Sequence, residues 1–339
     1  MTIENAEDRL ARVPWPAVTA FAITAIALAW LVALPLWLGD GLASPLFGPL
    51  AILMMFTPAV ATLVAVFALR SPHSARARFL GVWPLRPFGR TIWFSVVFLF
   101  APALIVLAVA FASAALGLVA FDLVGFSGFA EALAPTLAVA GVDPASVPIQ
   151  AVVLAQLAAL PLGALVNCFV TFGEEIGWRG WLLPALRPLG VWPALLLSGA
   201  VWGVWHAPII LLGYNFGRPD VGGVLLMIAA CVAWGVLFGW VRLRTASVWP
   251  AVTGHASLNA AGGAVMLFVA AGHTPDMSVV GPLGLVAWGV LAVVVVALAA
   301  AGQFRRGLLD GVALAEKPWR DGKPAFRHGL DADGGTRLG

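Results

Sequence analysis

Charge is what this chain has least of. Asp, Glu, Lys and Arg make up 10% of its 339 residues against 61% hydrophobic ones, and the mean hydropathy is +0.98, which excludes an ordinary water-soluble domain. Lysine occurs only at Lys317 and Lys323. No run of about 10 residues alternates apolar with polar, so a membrane β-barrel is excluded as well. Cysteine is confined to Cys168 and Cys231, with no CxxC spacing, and both read as small buried apolar residues. No basic stripe interleaved with aromatics offers a nucleic-acid surface. The first apolar run is too long for a signal-peptide core, and its leader mixes Glu4, Glu7 and Asp8 with Arg9 and Arg12, so it reads as an uncleaved anchor.

What is present is a series of long apolar runs. A helix of roughly 20 apolar residues spans about 30 Å of hydrocarbon, and about eight such runs follow one another, near 17–38, 48–69, 91–120, 148–172 with an extension, 191–213, 222–241, 247–270 and 279–301. The fold class predicted is an all-α polytopic membrane protein: a leader at 1–16, a transmembrane helical domain at 17–302 with its polar core at about 149–270, and a mixed-charge tail at 303–339 that is partly disordered. The connection 121–147 either forms a short surface helix or stays mobile. If every run crosses once, all Lys and Arg except Arg218 fall on one side, with Asp40, Asp122, Glu131, Asp143, Asp220 and Asp276 on the other. The positive-inside rule then makes both termini cytoplasmic in a plasma membrane of bacterial type. The basic collar, including Arg242 and Arg244, meets anionic lipid.

The few polar groups within the runs are not scattered. Glu174 and Glu175 close the fourth apolar stretch, Arg179 follows four residues later, and His206, His255 and Asn259 lie in the fifth and seventh. Fixed charge at membrane depth marks a functional site by default. Counting about 1.5 Å per residue from the turn near Leu189 puts Glu174 about 22 Å and His206 about 25 Å deep. The same count from Thr245 puts His255 about 15 Å and Asn259 about 21 Å deep, so all four can face one cavity among helices 4, 5 and 7. Glu175 and Arg179 share a helix face, as do His255 and Asn259. Adjacent Glu174 and Glu175 are rotated by about 100° from each other, which leaves Glu175 to pair with Arg179 and Glu174 to face the cavity as a general base for water. Trp178, Trp202 and Trp205 are candidates to line a substrate groove, while Trp83, Trp93 and Trp249 mark span ends. Asn167 and Gln156 read as interhelical hydrogen-bonding residues.

These residues form three motifs in order: EExxxR at Glu174-Glu175 and Arg179, aromatic-xxx-His at Trp202 and His206, and HxxxN at His255 and Asn259. Together they resemble the CPBP family of intramembrane proteases, which includes the type 2 CAAX prenyl proteases and the bacteriocin-processing Abi proteins. The resemblance implies an endopeptidase in which Glu174 and His206 activate a water while His255 and Asn259 hold the oxyanion. It also implies a peptide or protein substrate, prenylated or leader-bearing. Trp202 departs from the Phe usual in the family. Members have been called metalloproteases; this chain has no HExxH helix, but two histidines and a carboxylate leave zinc open as a ligand. The metal-free glutamate mechanism is favoured. Two other readings compete: a secondary transporter or proton relay, whose polar groups would be spread over two related halves, and a non-proteolytic immunity or scaffold member of the family.

Overall fold

The computed structural model describes residues 12–85 and 87–309. Most of the leader at 1–16 and of the tail at 303–339, with the disorder expected there, lies outside the described residues. Among those described, helices dominate and no strand forms; Phe121 and Val269 make an isolated antiparallel bridge. Among the described residues six helical segments are long and apolar enough to cross a membrane: α1 Trp15–Leu38, α2 Phe47–Ala68, α3 Phe88–Ala115, a run Ile149–Leu189, α7 Val221–Thr245 and a run Met277–Ala300. The connection after α3 does hold a surface helix, α4 Ser127–Val139. The Ile149–Leu189 run begins with α5 Ile149–Glu175, and Leu285–Ala300 forms α9. The chain is an integral membrane protein.

The expectation of eight comparable spans needs correction at the two runs that carry histidine. The fifth is a 15-residue helix, α6 Val191–Trp205. Pro208 has no N–H to continue the ladder, so the helix stops at His206 and resumes only as the single turn Ala207–Ile210. The seventh is a 13-residue helix, α8 Trp249–Ala261, which ends at the Gly262-Gly263 pair before a 3₁₀ turn at Ala264–Leu267. Irregular backbone at membrane depth is tolerated where protein buries it or where it lines a cavity. Both breaks do line one.

α5 is the opposite case. Its 27 residues reach about 40 Å, and the chain then continues as a π-helix, Ile176–Leu182. In that segment Leu183 N–H donates to the Trp178 carbonyl, five residues back, instead of to Arg179. Pro184, next in line, has no N–H. The Arg179 carbonyl therefore loses its helical partner.

Packing arranges these elements around the polar groups. α8 lies between α3 and α5, and α6 runs along α7. The α6–α7 contact is a backbone approach: a Cβ on Gly203 would overlap Cα of Ile228. Gly177 is held against α2 in the same way, with a Cβ there falling 2.9 Å from the Pro58 carbonyl oxygen. Small residues permit such approaches between membrane helices, where dispersion and hydrogen bonding replace the hydrophobic drive. Outside the helices, the half-buried Asp122 carboxylate accepts from the N–H groups of Val124, Gly125 and Ser127. These bonds, Gly125's first, hold it down to about 2. They secure the loop at neutral pH and are lost only as pH falls through that value.

Gly203→Ala should push α6 off α7 at the level of His206. Overpacking of this kind costs about 1–3 kcal/mol, so the detergent-purified variant should melt several degrees below wild type. An unchanged melting temperature would contradict the close-approach account.

Candidate active site

The ion pair anticipated within α5 forms. Arg179 Nη1 donates to Glu175 Oε1 at 2.8 Å, with both side chains no more than 1% exposed. The same oxygen meets His255 Nδ1 at 2.9 Å, so an arginine on the π segment and a histidine on α8 converge on one carboxylate. A buried carboxylate can only accept when ionised, which assigns the Nδ1 proton to His255. The guanidinium also lies 4.2 Å above the Trp202 ring, a cation–π contact that α6 supplies.

Glu174 takes a different path, as its rotation from Glu175 requires. Its Oε2 accepts from Trp202 Nε1 at 2.8 Å and from Trp178 Nε1 at 3.3 Å. Oε1 is engaged by neither indole, and the residue lines a cavity of about 460 Å³. His206, His255 and Asn259 line the same cavity. Helices 4, 5 and 7 of the sequence reading are not its whole wall, since α2 contributes Met54 and Met55 and α7 contributes Met227 and Cys231. His206 Nδ1 lies 2.9 Å from the Trp202 carbonyl. A carbonyl only accepts, so Nδ1 carries the proton and Nε2 carries a lone pair.

Trp202 is the hub. Its ring touches those of His255 at 5.2 Å and His206 at 5.8 Å between centroids, its backbone fixes His206, and its indole N–H fixes Glu174. Phenylalanine at this position would keep the wall and lose that donor. Trp205 lines the cavity while donating to Thr57 Oγ1 at 2.9 Å. Trp178, expected as a groove residue, is instead fully buried between Phe21 and Trp205 and reaches the site only through its bond to Glu174. Trp249 stacks on Phe172 and donates to the Val82 carbonyl, while Trp83 and Trp93 stay exposed.

Other expectations are revised. Cys231 is buried, but it is not merely apolar filling: its sulfur lies 3.7 Å from His206 Nδ1 on the cavity wall. Asn167 bonds within its own helix, to the Gly163 carbonyl at 3.5 Å, and lines the cavity; Gln156 is exposed. Neither is the interhelical link anticipated. Arg242 was expected in a basic collar that meets anionic lipid, yet it is 1% exposed. Its Nε donates to the Arg179 carbonyl at 2.9 Å and its Nη2 to the Phe79 carbonyl at 2.7 Å. It satisfies the acceptor that the π-helix orphans. The sequence signal was present in Pro184, five residues after Arg179, but which distant donor answers it is a property of the fold.

Among the described residues no group of three His, Cys, Asp or Glu is placed to hold a metal ion. Both histidines face acceptors through Nδ1, an arrangement that orients Nε2 toward a metal as readily as toward water.

Arg242→Met should cost about 3 kcal/mol, the range for a buried hydrogen-bonded charge replaced by an apolar chain, read as a lower melting temperature. Arg242→Lys should recover only part of the loss, because one ammonium cannot reproduce the guanidinium fork. Wild-type stability in the Met variant would refute the bracing role.

The family model described as type II CAAX prenyl endopeptidase Rce1-like matches residues 156–261, about a third of the chain and the part that carries all three motifs. No curated protein matches the chain. Residues 156–261 are thus similar to the type II CAAX prenyl endopeptidases, and the three motifs within that stretch support a CPBP/CAAX protease assignment.

Proposed function

We propose that the chain is an intramembrane endopeptidase that hydrolyses a peptide bond with a water activated by Glu174 and His206. The observation that carries this reading is the placing of a carboxylate, held from behind by two indole N–H groups, on a cavity that it shares with His206, His255 and Asn259. A water between Glu174 Oε1 and His206 Nε2 would attack the scissile carbonyl carbon as Glu174 takes its proton. The negative charge that develops on the carbonyl oxygen meets the Asn259 carboxamide N–H and the Nε2–H of His255 as an imidazolium. Collapse of the tetrahedral intermediate breaks the C–N bond, and Glu174 returns the proton to the leaving amine. Arg179, Glu175 and Trp178 position these groups without touching the substrate.

A transporter reading would need polar groups spread over two related halves, whereas these gather between Glu174 and Asn259. We also infer cytoplasmic termini from the arginine distribution, and a peptide or protein substrate, prenylated or leader-bearing, from the family. In this reading membrane lipid surrounds the apolar helices.

Membrane proteomes of cells expressing wild type or Glu174→Ala at matched levels should differ in new peptide termini, with a defined set lost in the mutant. Identical termini would count against proteolysis and for a scaffold. On a substrate so identified, His206→Ala should lower kcat by at least about a hundredfold, the usual range of an acid–base residue, and cleavage should persist in chelator. Abolition by chelator with recovery on added zinc would overturn the metal-free mechanism.

A further inference from the structure

The single tyrosine of the chain, Tyr214, is not needed for any step above, yet it lines the same cavity as Glu174 together with its neighbour Asn215. Both sit on the loop that follows the broken end of α6. That loop is tightly folded. Gly213, Asn215 and Gly217 all have positive φ, at 98°, 66° and 64°. The N–H groups of Gly213 and Gly217 donate to the carbonyls of Ile210 and Gly213 at 2.8 and 2.9 Å. Phe216 is buried beneath it, and the Tyr214 ring packs on Phe47 with centroids 5.1 Å apart. The two polar groups are therefore held in place by backbone and ring contacts. Among the described residues, however, neither the Tyr214 hydroxyl nor the Asn215 carboxamide has a hydrogen-bond partner.

Both groups are open to the cavity rather than sealed from it, so a ligand that enters can supply their complement. A peptide about to be cut does so. To expose a scissile carbonyl to water it must be unwound locally, and its freed N–H and C=O groups have no water to turn to in a low-dielectric site. A hydroxyl and a carboxamide together offer both donors and acceptors. Burial, and then the negative charge of Glu174, push the Tyr214 phenol above its ordinary range, so it stays a neutral donor at working pH.

We propose that Tyr214 and Asn215 dock the backbone of the substrate peptide, holding an unwound stretch of it beside Glu174. The role rests on the protease reading. It predicts a ligand class, an extended peptide backbone, with recognition independent of side-chain identity at the docked residues.

Two conservative variants isolate it. Tyr214→Phe removes only the hydroxyl and keeps the contact with Phe47. Asn215→Gly removes the carboxamide and keeps the positive φ. Both should melt with wild type. New membrane-proteome termini in cells expressing wild type, Glu174→Ala and each variant identify a cleavage site, and a peptide spanning it is then assayed with purified protein. Each variant should raise KM about tenfold, the worth of one buried hydrogen bond, with kcat within about threefold of wild type. Glu174-dependent termini that both variants produce with wild-type KM, or a fall in kcat at unchanged KM, would overturn docking while leaving the protease reading intact. Absence of any Glu174-dependent terminus in wild type would remove the protease reading and the docking role with it.

Discussion

Everything at the centre of this protein depends on how the Glu175 carboxylate is held where water cannot reach it, with both of its hydrogen bonds on Oε1 and none on the buried Oε2. Leaving one partner of a buried pair uncompensated costs about 3–5 kcal/mol. The fold answers with two cationic or proton-bearing groups on one oxygen, Arg179 from the same helix and His255 from α8. Because the neighbouring residue on a helix points about 100° away, fixing Glu175 inward toward α8 also fixes where Glu174 points. Its carboxylate turns to Trp202 and Trp178 and to the cavity. A structural ion pair and a chemically exposed carboxylate are thus set by one rotation.

The π-helix extends that logic to the backbone. Widening the turn at Ile176–Leu182 gives Arg179 its place over the Trp202 ring, at the cost of a carbonyl with no helical donor. Arg242 closes that vacancy and at the same time ties the end of α7 to the segment at Phe79. Around the cavity the elements are irregular for a common reason. α6 stops at His206, α8 stops at the Gly262-Gly263 pair, and the loop at Tyr214 is folded through three positive-φ residues. Side chains that must converge at one depth from different helices are presented at helix ends and breaks, and the rest of each run provides the apolar shell.

Much of this was legible in the sequence. Apolar run length gave the helical membrane fold because the bilayer imposes it. Helical spacing gave the Glu175–Arg179 pair and the common face of His255 and Asn259, since those relations are local. Counting residues from turns brought Glu174 and His206 to similar depth, and both do line one cavity. What escaped was non-local or depended on small departures from the ideal helix. Run length did not reveal that α6 and α8 are too short to match their apolar stretches, although Pro208 and the Gly262-Gly263 pair mark the stops. Arginine counting put Arg242 in a basic collar at the lipid surface, because its partner is a carbonyl freed by a change of winding 63 residues earlier. Trp178 and Cys231 were misread for the same reason: whether an indole walls a groove or braces a carboxylate, and whether a thiol fills space or touches a histidine, is decided by which helix lies alongside.

The division of labour between two adjacent glutamates is the most exposed point of this account, and the direct measurement is to compare Glu174→Gln with Glu175→Gln for peptide cleavage and thermal melting in the same preparation. The account predicts that Glu174→Gln melts close to wild type and is inactive, while Glu175→Gln melts well below it. Cleavage retained by Glu174→Gln, or a Glu175→Gln protein as stable as wild type, would contradict it.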